Sequence, residues 1–342
     1  MSSAEQHAID LRSDALVSPT DRMREVLAAA PVGNDAYRED EAVRSLEDRV
    51  AELFGMDSAM FLPTGTMANL VAVSVLCPRG GEVLADQESY VLASGLGGLA
   101  TVAGLQSRTI HAVRGALDAA AVRAALRPAG WGVLPTSALI VENTHARSGG
   151  AVVPLPVLAE LSLLAREHGI GLHCDGARIW HAAVATGTSL KAYGALFDTL
   201  TVSVSKGLGA PVGALMLGDA ERVERARQVR KQLGGGWRGA GVLAAAAEFA
   251  VLNNVARLRE DHDKAAAIAT RLGRQPMINA PVETNIVLVR VRDSVAVHRA
   301  CARQGVGVFR LAPDLIRIVT HRDVSMERCL EAAEVIAAAI AQ

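Results

Sequence analysis

The chain has 342 residues, half of them hydrophobic, enough for two domains sharing a large core without disulfides. Aromatic residues make up 3% and the formal charge is −1 with acids and bases interspersed, which argues against a stacking platform or basic block for nucleic acid or a membrane surface. No run approaches the roughly 18 apolar residues of a membrane span, residues 1–14 hold no apolar signal core, and the four cysteines form no CxxC pair, so a reduced, cytoplasmic protein without a metal site is expected.

The apolar positions Val43, Leu46, Val50 and Leu53 recur at helical spacing, which predicts a helix over 41–54 closed by Gly55. A short apolar run over 59–63 leads into Thr64-Gly65-Thr66, which opens a helical stretch through Cys77. Strands are expected over 81–86, 138–141, 170–174, 199–204 and 213–217, with a helix over 157–168. A long helix over 242–272, with a break near Asn253-Asn254, leads to a strand (285–291), a helix (295–304), two strands (307–311 and 315–320) and a last helix (326–341). Strands alternating with helices imply an open α/β fold with a mostly parallel sheet, and the tail implies a smaller C-terminal α+β domain. The expected division is 1–250 and 251–342, with residues 1–20 packing on the small domain or a partner.

Lys206 is the most informative residue. The chain has only four lysines, and Lys191, Lys231 and Lys264 sit among polar neighbours. Lys206 instead follows an alternating strand and precedes Gly207-Leu208-Gly209-Ala210-Pro211. An amine in such tight surroundings is poorly solvated, its pKa falls, and the neutral form attacks carbonyls. Upstream, Asp175 ends the strand 170–174 and is followed by Gly176-Ala177-Arg178. A strand-end carboxylate there suits a protonated pyridine nitrogen, so the pair points to pyridoxal phosphate. Thr64-Gly65-Thr66-Met67-Ala68-Asn69 places small and hydroxylic residues at a helix start, where free N–H groups and the helix dipole bind phosphate. A nucleotide P-loop is the rival glycine-rich reading, but no GxxxxGK[ST] run exists.

These segments, together with Asp10 to Asp14, Gly33 to Tyr37, Glu142-Asn143-Thr144-His145 and Gly234 to Arg238, resemble the L-threonine aldolase family over most of the chain. The resemblance implies the pyridoxal-phosphate fold type I with a seven-stranded-type sheet. It implies Lys206 as the Schiff-base lysine, Asp175 as the ring-nitrogen partner, and Gly65 and Thr66 as phosphate ligands. Arg238 is similar to an arginine that reaches the cofactor phosphate of a neighbouring subunit, which implies a homodimer or homotetramer with a shared site. Ser13, Arg178 and Arg317 match positions that hold the substrate carboxylate, and His145 a histidine near the substrate side chain. Tyr90 stands where the family commonly has a histidine stacked on the cofactor ring. The segment 91–98 also lacks a usual tyrosine-glutamate pair, and Gly239 replaces a common glutamine.

The expected function is cleavage of the Cα–Cβ bond of a β-hydroxy-α-amino acid to glycine and an aldehyde, with His145 as candidate base, directly or through water. The Tyr90 ring can still stack on the pyridine, and it motivates an alternative, β-elimination or racemisation on the same cofactor, because the resemblance extends to a fold class in which other lyases carry a tyrosine over the ring. A catalytically silent scaffold is the third reading, against which the intact Lys206 and Asp175 stand.

Overall fold

The computed structural model describes residues 8–273, 279 and 281–342; the first seven residues of the N-terminal segment lie outside them. In chain order the strands are β1 (Ile9–Asp10), β2 (Ser58–Leu62), β3 (Glu82–Asp86), β4 (Gln106–Ile110), β5 (Thr136–Glu142), β6 (Gly171–Gly176), β7 (Thr199–Ser203), β8 (Ala214–Gly218), β9 (Ile286–Arg290), β10 (Val306–Gly307), β11 (Phe309–Ala312) and β12 (Leu315–Val319). The large sheet runs β2-β8-β7-β6-β5-β3-β4, and β8 pairs antiparallel with both neighbours while the other pairings are parallel. The expected mostly parallel α/β sheet is therefore present. Strands β6 and β7 are almost entirely buried, as sheet strands covered on both faces must be.

The helix Glu41–Phe54 shows how local chemistry sets an element. Asp40 caps its start by accepting from Val43 N–H, and Gly55 ends it at a φ of 62°. Val43, Leu46, Val50 and Phe54 face the core; Phe54 rather than Leu53 takes the fully buried position. The long C-terminal helical stretch divides into Gly241–Asn254 and Leu258–Leu272, bent by 65°, close to the expected break. No single helix among the described residues is long and apolar enough to cross a membrane.

A second core surrounds the antiparallel sheet β11-β12-β9. Val287, Val289, Ile316 and Ile318 pack there against Ala265 and Ile268, and Ile9 and Leu11 are buried among them. Strand β1 pairs parallel with β10, so the N-terminal strand is part of this unit. The expected strand over 307–311 divides here, with β10 serving β1 and β11 serving β12.

The carboxyl ends of β2, β3, β5, β6 and β7 share one edge of the large sheet, because those strands run in the same direction. That edge is where open α/β sheets gather their ligands.

Candidate active site

A cavity of about 280 Å³ opens at this edge, lined among others by Thr64, Gly65, Thr66, Asn69, Tyr90, Asp175 and Lys206. Two larger clefts, of about 500 and 570 Å³, lie elsewhere around Pro78 and Arg222 and contain none of these groups.

Lys206 sits in the turn after β7. The turn is closed by Gly209 N–H donating to Lys206 O at 2.7 Å. Gly207 is required by close approach: a Cβ there would stand 2.8 Å from His181 Nε2 and from a Leu258 methyl. The amine makes no hydrogen bond or ion pair with a described residue, and burial, reinforced by the nearby Arg178 charge, pushes it down to about 8. A sizeable neutral fraction therefore exists at mildly alkaline pH.

Asp175 is 1% exposed, and its carboxylate is held from two sides. Asn69 Nδ2 donates to Oδ2 at 2.6 Å and Ala177 N–H to Oδ1 at 3.0 Å. Both oxygens keep lone pairs for a further donor. At the helix Gly65–Leu76, Thr64 caps the start by accepting from Met67 N–H at 3.1 Å. The N–H groups of Gly65 and Thr66 fall in the first turn, where the helix offers no acceptor. Nothing stands within 4 Å of where a Gly65 Cβ would be. An uncommitted amine, a held carboxylate and an open helix N-terminus around one cavity are the three features that pyridoxal phosphate requires, so the residues present fit it.

The Tyr90 hydroxyl lies 2.7 Å from Thr66 Oγ1, and Tyr90 N–H donates to Glu142 Oε2 at 2.6 Å. The phenol therefore points at the helix N-terminus. Glu142 also accepts from Ala146 N–H at 2.9 Å, so one buried carboxyl ties the segment carrying Tyr90 to the loop carrying His145. Burial raises its pKa, the Asp175 charge adds to this, and His145 partly offsets it.

His145 is 1% exposed and is not among the residues lining the cavity. Its Nδ1 lies 2.8 Å from Ser148 Oγ, and its Nε2 makes an off-axis contact of 3.0 Å with Asp86 Oδ2. Burial alone would lower its pKa, but Asp86, Glu142 and Glu88 outweigh burial and raise it.

None of the expected carboxylate-binding groups, Ser13, Arg178 and Arg317, lines the cavity; Arg178 follows Ala177, which does, and Arg317 lies near enough to feel the Arg178 charge. Arg178 donates through Nε at 2.8 Å and Nη2 at 2.6 Å to Asp14, which is itself fully buried and also accepts from Asn285 Nδ2 at 3.2 Å. Among the described residues Arg317 forms no ion pair: Nη2 donates to Arg12 O at 3.2 Å, Nε is buried without a partner, and the guanidinium lies 4.6 Å from the Phe309 ring centroid. Burial and the Arg178 charge push it down to about 10. Ser13 Oγ accepts from Ala15 N–H at 3.1 Å. Arg238 is exposed, bridges only through its backbone to Asn34, and does not line the cavity of its own chain.

Sequence reasoning named Asp14 and Asn69 only as members of motifs and missed Glu142 as a tether. The signal was adjacency: Asp14 follows Ser13, and Asn69 lies one helical turn after Gly65. Which side chain meets which partner depended on elements far apart in sequence.

The beta-eliminating lyase family model matches residues 10–294. A low specificity L-threonine aldolase of Escherichia coli K12 is 41% identical over 326 residues, covering 95% of this chain and 97% of that protein. A probable low-specificity L-threonine aldolase 2 of Arabidopsis thaliana is 40% identical over 329 residues, covering 93% of each. Among solved structures, the threonine aldolase of Leishmania major superposes with a TM-score of 0.84 at 19% identity over 96% of this chain and 98% of that one. A Thermus thermophilus aspartate aminotransferase double mutant superposes at 0.74 and 16% identity, over 97% and 92% of the two chains, sharing the fold. The family match across most of the chain, with the long matches to curated relatives, shows that this chain belongs to the L-threonine aldolase family within the beta-eliminating lyases.

Proposed function

We propose that the chain is a pyridoxal-phosphate-dependent aldehyde-lyase that cleaves the Cα–Cβ bond of a β-hydroxy-α-amino acid, releasing glycine and an aldehyde. The observation that carries this reading is the convergence of Lys206, Asp175 and the Gly65–Thr66 helix start on one cavity. When bound, pyridoxal phosphate supplies the electron sink for the pair left when a bond at Cα breaks.

The residues have separable tasks. Lys206 Nζ is the covalent anchor, and its lowered pKa keeps part of it neutral and nucleophilic. Asp175 would face the ring nitrogen and hold a proton there. The Gly65 and Thr66 N–H groups would take the phosphate. Arg317 has an unpartnered Nε and forms no ion pair with a described residue, so it is the group readiest for a substrate carboxylate. Arg178 arrives paired with Asp14 and contributes through its remaining Nη1, with Ser13 nearby. A carboxylate fixed at this end limits rotation about Cα, and orientation selects which bond breaks. His145 is proposed to take the β-hydroxyl proton through water, because it does not line the cavity. Tyr90, bonded to Thr66, braces the cofactor end rather than moving protons; this favours cleavage over the elimination or racemisation that tyrosine chemistry would motivate.

The exposed Arg238, unengaged in its own chain, supports a homodimer or homotetramer in which it reaches a neighbour's cofactor. Four free, buried cysteines support a reduced, cytoplasmic setting. The test is incubation with a panel of β-hydroxy amino acids, with glycine, aldehyde, 2-oxo acid and ammonia all measured. Glycine and aldehyde in equal amounts are expected; a 2-oxo acid that keeps the substrate's carbon skeleton, with ammonia, would replace this reading with β-elimination.

A further inference from the structure

Three buried polar side chains behind Asp175 have no task in the reading above. His173 lies two residues before Asp175 on β6, so both point to the same face. Thr199 on β7 is the direct cross-strand neighbour of His173. Asn69 comes over this face from the helix Gly65–Leu76. Together they form an unbroken series. Thr199 Oγ1 lies 2.9 Å from His173 Nδ1, His173 Nε2 lies 3.1 Å from Asn69 Oδ1, and Asn69 Nδ2 lies 2.6 Å from Asp175 Oδ2. None of the four side chains is more than 3% exposed.

The series has one consistent direction. An ionised carboxylate only accepts, so Asn69 must turn its NH₂ toward Asp175 and its carbonyl toward His173. His173 must then donate from Nε2, which leaves Nδ1 to accept from the Thr199 hydroxyl. Burial holds His173 in the neutral state, its pKa pushed down to about 4, and a neutral imidazole has the required one donor and one acceptor. Hydrogen bonds aligned head to tail polarise one another, and here the last of them falls on a carboxylate.

The opposite face of these two strands is apolar, with Leu172, Cys174, Leu200 and Val202, while this face also carries buried Thr201 and Ser203. Packing alone does not require the hydrogen-bonded series. Exchanging a matched buried polar pair for apolar groups of similar shape is often nearly neutral. The polar series ends instead on the one carboxylate that lines the cavity.

We propose that Thr199, His173 and Asn69 form a positioning relay that fixes the Asn69 amide and aims the Asp175 carboxylate into the cavity, where it would hold a proton on the ring nitrogen of the cofactor. This rests on the role proposed above for Asp175. Of the three, only Asn69 lines the cavity; His173 and Thr199 lie behind it and act through Asn69. The relay acts on the one group that sets the ring's charge.

The test is to load the protein with pyridoxal phosphate labelled with nitrogen-15 in the ring and follow the ring-nitrogen signal against pH, with thermal unfolding as a check on folding. Asp175→Asn tests the underlying role and should move the signal toward that of an unprotonated pyridine at neutral pH. If it does not, the assignment of Asp175 fails and the relay with it. With that shift in hand, the relay stands or falls on His173→Phe, which keeps a ring and removes the donor. The ring nitrogen should lose its proton about one pH unit lower than in the wild type, and His173→Gln, which retains a donor, should recover most of the difference. A folded His173→Phe protein that titrates with the wild type would overturn the relay while leaving Asp175 in place. Should His173→Phe not fold, Thr199→Val decides by the same measure: a smaller downward move of about half a unit supports the relay, and coincidence with the wild type refutes it.

Discussion

The cavity and the arginine cluster that flanks it, the proposed cofactor and carboxylate ends of the site, are built on different plans, and no residue of the cluster lines the cavity itself. The cofactor end comes from residues 64 to 206, on strands and one helix of a single sheet layer, and Asp175, Thr66 and Tyr90 all have partners in place. The carboxylate end is assembled from four distant pieces: Asp14, Arg178, Asn285 and Arg317. It holds a buried donor without a partner among the described residues, Arg317 Nε. A buried donor left unpaired costs free energy until a ligand satisfies it. The first end is thus preorganised, and under the proposed reading the second keeps a donor for an anion.

The largest effect belongs to the cofactor end. Lys206→Ala should lower turnover by about 10³-fold or more, as loss of a nucleophile does, and borohydride should no longer fix cofactor to the chain. Borohydride labelling of another lysine would remove Lys206 from the centre of the scheme.

At the carboxylate end the two arginines should separate. Arg178→Ala leaves Asp14 buried and charged, so stability should fall by about 3–5 kcal/mol, measured by denaturant unfolding. Arg317→Ala removes a buried cation that forms no ion pair with a described residue, so stability should hardly change while KM rises by roughly 10- to 100-fold, the worth of about 1.5–3 kcal/mol for a charged hydrogen bond. Equal stability losses in the two variants would show that the pairing difference has no energetic content. The Asp14 carboxyl is held below its ordinary range: burial opposes ionisation, but the Arg178 pair more than compensates. Its stabilisation is therefore complete above the ordinary carboxylate pKa and is lost as pH falls through the depressed one. Asp14→Asn should flatten that acid limb.

A pH profile sharpens the place of His145. Its raised pKa means that it must shed a proton to act as a base, so kcat/KM should fall as pH drops through a value above 6.5. His145→Gln should remove that limb. An unchanged limb would transfer the base role to another group.

The smallest change is expected at Tyr90. Tyr90→Phe removes only the bond to Thr66, and cofactor affinity should weaken by about 0.5–1.5 kcal/mol with turnover nearly kept. A loss of about 10²-fold in turnover with affinity intact would instead mark the phenol as a proton carrier.

The sequence by itself determined the α/β alternation, the mostly parallel sheet, and the strand-end placing of Lys206 and Asp175. These follow from short-range causes: apolar periodicity, glycine turns and helix caps such as Asp40 and Thr64. It did not reveal β4, because Gln106-Ser107-Arg108-Thr109-Ile110 is an edge strand with exposed positions and no apolar alternation. Only the tertiary structure decided which arginine is paired. Arg178 and Arg317 look alike in the chain, and their difference arises from Asp14, 164 residues from Arg178, reaching one and not the other. It likewise turned His145 onto Asp86 and Ser148, and brought His173 and Asn69, 104 residues apart, into one series behind Asp175. Local sequence sets the direction and ends of each element. The partner of a buried charge is set by desolvation, which acts only once distant segments have closed around it.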